Sequence, residues 1–235
     1  MFEQNLLAAF KSMHIPCTQE QAHQCAEYFS MLVQANQTMN LTNVVEEQEA
    51  IVLHFCDSAS VLPLHQIPSG ARCIDVGTGA GFPGMVLAIL RPDLSMTLMD
   101  SLQKRVSFLQ QVVSALHLQN VQCVHQRAEQ AGHDSAYRER YDYAFSRAVA
   151  SLPVLAEYSL PFIRIGGQMI AYKGPQGLSE CSQARTALRT LGGQYEQALN
   201  SQVPGRDHSL IFIKKIRPCP QKYPRKAGIP SKQPL

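Results

Sequence analysis

At 235 residues, with 45% apolar and 17% charged side chains, the chain carries enough apolar content for a sizeable core, which excludes a disordered protein. Its formal net charge of +3 hides an asymmetry: residues 208–235 hold seven lysines and arginines and no acid, whereas the rest holds 14 basic and 18 acidic residues. A mildly acidic body with a basic end points to a polyanionic partner met by the tail, or else to a tail that only solubilises.

In chain order, residues 4–15 and 19–35 are predicted helices. In the second, Ala22, Cys25, Ala26, Phe29, Leu32 and Val33 form one helical stripe, and Thr18 with Gln21 has capping-box spacing. After the polar stretch NQTMNLTN a third helix is predicted over 46–62, so residues 1–65 read as a helical N-terminal extension. From residue 71 strands alternate with helices. Strands are predicted at 72–76, 95–100, 121–125, 141–146, 166–172, 194–200 and 209–216, with helices at 82–91, 102–117, 152–163 and 176–191 and a charged loop from Asp134 to Arg140. Parallel βαβ units closed by an antiparallel hairpin predict an α/β, Rossmann-like seven-stranded sheet over residues 66–216. Residues 217–235 contain five prolines and are predicted to form neither regular helix nor central strand.

No apolar run reaches the roughly 20 residues that cross a bilayer, and MFEQNLLAAFKSMH lacks the basic region and apolar core of a signal peptide. The seven cysteines form no C-x-x-C pair and the eight histidines show no ligand spacing. A cytoplasmic protein with reduced thiols, no metal and no membrane attachment is expected.

Residues 71–84, ARCIDVGTGAGFPG, organise the rest. Ile74 and Val76 end a strand, the chain turns through Gly77, Gly79 and Gly81, and Gly84 opens a helix. Glycines there tolerate positive φ and let a ligand approach bare backbone. Gly79–Gly84 matches G-x-G-x-x-G, and Gly77–Gly81 matches the G-x-G-x-G loop common in S-adenosylmethionine (SAM) methyltransferases. Asp100 ends the second predicted strand 19 residues beyond Gly81, where an acid accepts ribose hydroxyls or else caps the next helix. Asp75 reads as a neighbour of the ligand or as a stabiliser of the turn.

His125, Arg127, Ala128 and Glu129 follow the third strand, at the carboxyl edge where such sheets bind ligands. Arg147 follows the fourth strand and Lys173 the fifth. The guanidinium reads as functional, whereas Lys173 reads equally well as a solvated turn residue. No Asn/Asp-Pro-Pro-Tyr motif follows the fourth strand and no Ser/His/Asp set is visible. Pro218-Cys219 lies too far along the chain to be a cytosine-type nucleophile, and His54 is the histidine of interest.

With these pieces in place, the chain closely resembles the RsmG (GidB) family of bacterial 16S rRNA guanine-N7 methyltransferases. The likeness runs through Asn40-Leu41-Thr42, His54 with Asp57-Ser58, DVGTGAGFPG, Asp100-Ser101-Leu102 with Lys104-Arg105, and Arg127-Ala128-Glu129. It continues through Ser146-Arg147-Ala148-Val149-Ala150, Ala171-Tyr172-Lys173-Gly174 and Lys222-Tyr223-Pro224-Arg225-Lys226-Ala227-Gly228. The resemblance implies methyl transfer from SAM to N7 of guanine 527 in 16S rRNA, with Gly77, Phe82, Ala128, Glu129 and Arg147 as cofactor contacts. Gln103 where lysine is frequent, Ala59 where leucine is common and the long loop 130–140 depart from the family pattern.

The expectation is therefore a monomer that acts on 16S rRNA or the 30S subunit. SAM would lie over Gly77, Gly79, Gly81 and Phe82, with Asp100 at its ribose and Ala128 and Glu129 at its adenine. Arg147 and Lys173 would be the catalytic pair, and Arg105, Arg127, Lys222, Arg225 and Lys226 would meet RNA. An NAD-dependent oxidoreductase using the same glycines, and a non-catalytic RNA-binding module, are the competing readings.

Overall fold

Two helices open the chain, α1 (Phe2–Ser12) and α2 (Gln19–Met39), in the computed structural model, which describes all 235 residues. The capping box forms as spaced: Thr18 Oγ1 accepts the Gln21 N–H at 3.2 Å and the Gln21 side chain accepts the Thr18 N–H at 2.9 Å. The third predicted helix is segmented. It comprises α3 (Glu47–Ala50), a π-helical stretch Ile51–Cys56, α4 (Asp57–Ala59) and α5 (Val61–Leu64). The π-helical register is not signalled by apolar periodicity; such turns are frequent at functional sites.

The alternating region follows as β1 (Arg72–Val76), α6 (Gly84–Leu90), β2 (Ser95–Asp100), α7 (Gln103–Ala115), β3 (Val121–His125), α8 (Ala128–Ala131) and β4 (Tyr141–Arg147). Then come α9 (Leu152–Ser159), a 3₁₀ turn Leu160–Phe162, β5 (Ile163–Lys173), α10 (Gly177–Gln183), α11 (Arg185–Leu191), β6 (Gly193–Asn200) and β7 (Ser209–Lys215). All seven predicted strands are present, and α8 is an addition that one helical turn of sequence does not announce. The sheet order is β3-β2-β1-β4-β5-β7-β6, with β7 antiparallel to both neighbours and the first five strands parallel. The order reverses between β1 and β4, and ligands bind at the carboxyl end of such a switch point.

Strand residues alternate between two apolar layers, as a sheet covered on both faces requires. Cys73, Ile170, Tyr172, Leu210 and Phe212 face the layer shared with α1, α2, Phe55, α6 and α7. Ile74, Met169, Ala171, Ile211 and Ile213 face the layer shared with α8, α9 and α11. The N-terminal helices thus bury Phe10, Tyr28 and Phe55 completely in a core continuous with the sheet.

The tail is not loose. Cys219 and Tyr223 are buried in the second layer, and a last short helix, α12 (Ile229–Lys232), corrects the expectation that this proline-rich stretch holds no helix. Pro230 sits in its first turn, where a missing N–H is harmless.

Candidate active site

The glycine loop takes the conformation expected of it. Gly77, Gly79 and Gly81 have φ of 72°, 62° and 113°. A Cβ on Gly79 would meet nothing within 4 Å, so the loop opens bare backbone to empty space, whereas one on Gly81 would lie 2.5 Å from the Tyr28 hydroxyl. Tyr28, in α2, donates to Ala80 O at 2.6 Å and so holds the loop from below.

Asp75 is fully buried under this loop, with Oδ2 accepting from Thr78 Oγ1 at 2.6 Å and from Gly84 N–H at 2.8 Å. Turn stabilisation is therefore its visible role, although Oδ1 remains without a partner. Burial raises its carboxyl to about 6 against the lowering effect of those two donors.

Asp100 reaches the loop from β2. Its Oδ2 accepts Gly79 N–H at 3.0 Å and its Oδ1 accepts Leu102 N–H at 2.9 Å, with Arg105 Nη1 3.4 Å from Oδ2. A carboxylate has about four acceptor positions, so with these three donors in place capacity remains for one hydroxyl. Asp100 lines a cavity of about 160 Å³ together with Gly77, Ala128, Glu129, Val149 and Tyr158. The loop, the acid and the cavity are thus assembled at the switch point, with Ala128 and Glu129 delivered by α8.

Arg147 ends β4 and lies beside a larger cavity of about 540 Å³, lined also by His54, Asp57, Lys173, Arg206 and His208. Its Nη1 donates to Leu53 O at 2.6 Å and to Asp57 Oδ2 at 2.8 Å, and its guanidinium carbon stands 5.2 Å from the centre of the Phe82 ring. His54 stacks on that same ring at 4.3 Å. The Arg147 Nη2 lies 3.4 Å from His54 Nδ1 and Thr42 Oγ1 lies 2.9 Å from His54 Nε2. Burial first, then the Arg147 charge, pushes the imidazole down to about 4, so it is neutral at pH 7. Burial alone would raise Asp57, but the His208 hydrogen bond and the charge and hydrogen bond of Arg147 hold it below the ordinary carboxylate range.

Lys173 is not a solvated lysine. Its Nζ donates to Glu180 Oε2 at 2.8 Å and to Ala150 O at 2.6 Å, and Glu180 Oε2 also accepts Leu152 N–H. Lys173 and Glu180 together fix the segment 148–152, which carries Val149 over Gly77 and separates the two cavities.

The residues expected on RNA divide. Arg127, Lys222 and Lys226 are exposed, and Arg105 is partly exposed beside Asp100. Arg225 instead pairs with the fully buried Glu157, at 2.6 Å from Nη2 to Oε2. Two more of the basic residues counted in the tail are also engaged internally. Lys215 is buried, donating to Leu160 O at 2.7 Å, and Arg217 donates to Arg189 O at 2.7 Å.

Sequence reading missed His208, Arg206, Glu157, Glu180 and Tyr28. His208 Nδ1 lies 2.9 Å from Asp57 Oδ1 across 151 residues of chain, a pairing no local pattern announces.

Open glycine backbone, an acid at the end of β2 and a short helix bearing Glu129 stand together at the switch point of a Rossmann-like sheet, the fold of SAM-dependent methyltransferases, in an arrangement that suits a nucleoside. Solved structures agree on the fold. Fibrillarin, a pre-rRNA processing protein of Methanococcus jannaschii, superposes with a TM-score of 0.53 at 12% identity, over 68% of this chain and 74% of that one. A mutant of MtNAS in complex with S-adenosylmethionine gives 0.57 at 10% identity, over 85% and 77%. The family model described as rRNA small subunit methyltransferase G matches residues 21–209. Ribosomal RNA small subunit methyltransferase G of Alkaliphilus oremlandii is 46% identical over 227 residues, covering 96% of this chain and 95% of that protein. Its namesake from Desulforamulus reducens is 44% identical over 232 residues, covering 98% and 97%. The chain belongs to the rRNA small subunit methyltransferase G family, whose members are SAM-dependent rRNA methyltransferases. No helix is long and apolar enough to cross a membrane, and no three His, Cys, Asp or Glu side chains are grouped to hold a metal.

Proposed function

We propose that this protein methylates N7 of guanine 527 in 16S rRNA, acting as a cytoplasmic monomer on the rRNA or on the 30S subunit. The near-full-length likeness to ribosomal RNA small subunit methyltransferase G chains carries this reading. Gly77, Gly79, Asp100, Ala128 and Glu129 would hold SAM, with Phe82 and Arg147 at the border of the acceptor side. When bound, SAM supplies an electrophilic methyl group on a sulfonium.

Guanine N7 has an in-plane lone pair and no proton at neutral pH, so the protein has to align the base and tolerate the positive charge that develops on it. The 540 Å³ cavity is the acceptor pocket in this reading. Arg147 and Lys173, already tied to Asp57 and Glu180, keep its walls in place rather than presenting free charges. Arg206, on the β6–β7 turn, lines the same cavity and has no side-chain partner, which makes it the cation available to an RNA phosphate. N7 lies on the edge hidden in an A-form major groove, so the target guanine enters unpaired or splayed out.

A second reading rests on the Asp57–His208 pair. With Nδ1 facing a carboxylate at 2.9 Å, His208 would have Nε2 free to take a proton, as deprotonation of an exocyclic amine or ribose hydroxyl would need. Incubation with methyl-labelled SAM and 30S subunits or rRNA, followed by nuclease mapping, separates the two. Label as 7-methylguanine at position 527 supports the first, and label on another atom or nucleotide rejects it.

A further inference from the structure

The C-terminal tail lies beyond the stretch that the family model matches, which ends at residue 209, yet it touches the wall of the cofactor cavity twice. Gly228 N–H donates to Glu129 Oε1 at 3.2 Å, and Tyr158 Oη lies 2.9 Å from Ser231 Oγ. Glu129 and Tyr158 both line the 160 Å³ cavity beside Asp100. We propose that the docked tail is a positioning element of the cofactor site, locked by Arg225 on Glu157, so that undocking it lowers SAM affinity. The proposal rests on the SAM assignment alone and is independent of which RNA atom receives the methyl.

The lock is strong by construction. Glu157 lies in α9 with no exposure, and Arg225 supplies its backbone N–H at 2.8 Å, Nε at 2.9 Å and Nη2 at 2.6 Å. A buried carboxylate deprived of such partners is costly, which opposes release of the tail. Further contacts fix the path on either side. Pro224 O lies 2.7 Å from His133 Nε2, Arg138 donates to Tyr223 O at 2.8 Å and to Cys219 O at 2.7 Å, and a Cβ on Gly132 would come within 2.5 Å of Pro224.

The wall needs such support. α8 is a single turn of four residues, far below the length at which a helix holds itself, and no side chain caps its start. Glu129 therefore owes its position to what it touches, and Gly228 is its hydrogen-bond partner. Gly228 has φ of +81°, so the tail turns at this point in a conformation that favours glycine and aims its N–H at the carboxylate.

Linkage is reciprocal: if docking favours cofactor, cofactor must hold the tail down by the same factor. Hydrogen exchange of the intact chain, with and without saturating S-adenosylhomocysteine, reads this directly. The Arg225 and Gly228 amides, exchanging by local opening of the tail, should slow at least tenfold with ligand. Calorimetry supplies the converse. Arg225→Met and a chain ending at Pro224 should bind S-adenosylhomocysteine at least tenfold more weakly, whereas Gln221→Ala, exposed on the same tail but outside the lock, should bind as the parent does. Tail amides that exchange at the same rate with and without ligand would overturn the proposal, whether or not the truncated chain folds. So would a folded truncated chain binding within twofold of the parent. No binding heat with the intact chain would remove the SAM assignment, and the proposal with it.

Discussion

Asp57 Oδ2 accepts a hydrogen bond from Arg147 Nη1 at 2.8 Å although 90 residues of chain separate them. The contact joins the carboxyl end of β4 to the segment that leaves the π-helical turn, and both side chains are largely withdrawn from water. Around it, Phe82, His54 and His208 are packed or bonded to one partner or the other. The 540 Å³ cavity is thus walled by the N-terminal helices as much as by the sheet.

Removing one member of a mostly buried ion pair leaves the other uncompensated. Asp57→Ala should cost about 3–5 kcal/mol of stability, with Arg147→Ala toward the low end because His208 still serves Asp57. The double variant should cost less than the two losses summed, by roughly 0.5–3 kcal/mol. Urea denaturation of the three variants checks this, and strict additivity would show that the pair is not coupled.

His54 and Asp75 make opposite pH contributions. His54 is lowered to about 4, so between about 4 and its unfolded value near 6.5 the unfolded chain binds more protons and native stability falls as pH falls. Asp75 is raised to about 6, so between its unfolded value near 3.9 and about 6 the native state binds more protons and stability rises as pH falls. The two largely cancel between about pH 4 and 6. His54→Gln removes one side of that balance. Relative to the parent, the variant should gain about 2–3 kcal/mol on going from pH 7 to 4.5. Parallel denaturation curves at the two pH values test it, and an unchanged difference would mean that His54 is not held neutral.

The glycines of the loop should respond differently to the same methyl group. Gly81→Ala places Cβ against Tyr28 and Leu109 at a φ that disfavours side chains, so it should lower Tm markedly. Gly79→Ala has open space around Cβ and faces only the left-handed backbone cost of about 1–2 kcal/mol. Its methyl would stand on the face of the loop proposed for SAM, so the substitution should weaken SAM binding more than it weakens the fold. Asp100→Ala should also weaken SAM, by about 1–3 kcal/mol, through loss of a charged acceptor. Thermal unfolding and calorimetry on the same samples separate these effects.

What was legible in the sequence is what local pattern encodes. The strand before Gly77, the open glycine turn and Asp100 at the end of β2 follow from spacing, and so do the seven strands and the capping box at Thr18. The illegible part depends on partners that only the fold brings together. Residues 51–56 carry no signal for a π-helical register. His208 meets Asp57, Tyr28 meets Ala80 and Arg225 meets Glu157 over separations of 151, 52 and 68 residues. Charge counting also overstates what the tail can offer a partner, because Lys215, Arg217 and Arg225 each have an internal acceptor.

RNA affinity should accordingly depend on the exposed cations alone. Lys222→Ala, Lys226→Ala and Arg206→Ala should each flatten the slope of log K against log salt by roughly 0.7 on single-stranded RNA. Filter binding across a salt series reads the slopes, and unchanged slopes in all three would remove these cations from the RNA contact.

The pH dependence of the single-turnover rate distinguishes the two acceptor chemistries. Transfer to N7 needs no base, so the rate should vary little between about pH 6 and 8, and His208→Gln should retain most of it. A rate that falls with a histidine-like titration, and collapses in His208→Gln, would favour the Asp57–His208 pair as a base.

Replacing the target guanine with 7-deazaguanine is the most direct measurement of the central claim. With rRNA carrying that single substitution at position 527 and methyl-labelled SAM, no label should enter that nucleotide, while unsubstituted rRNA in the same assay should be labelled there. Label entering the 7-deaza nucleotide would place the methyl on another atom and contradict transfer to N7.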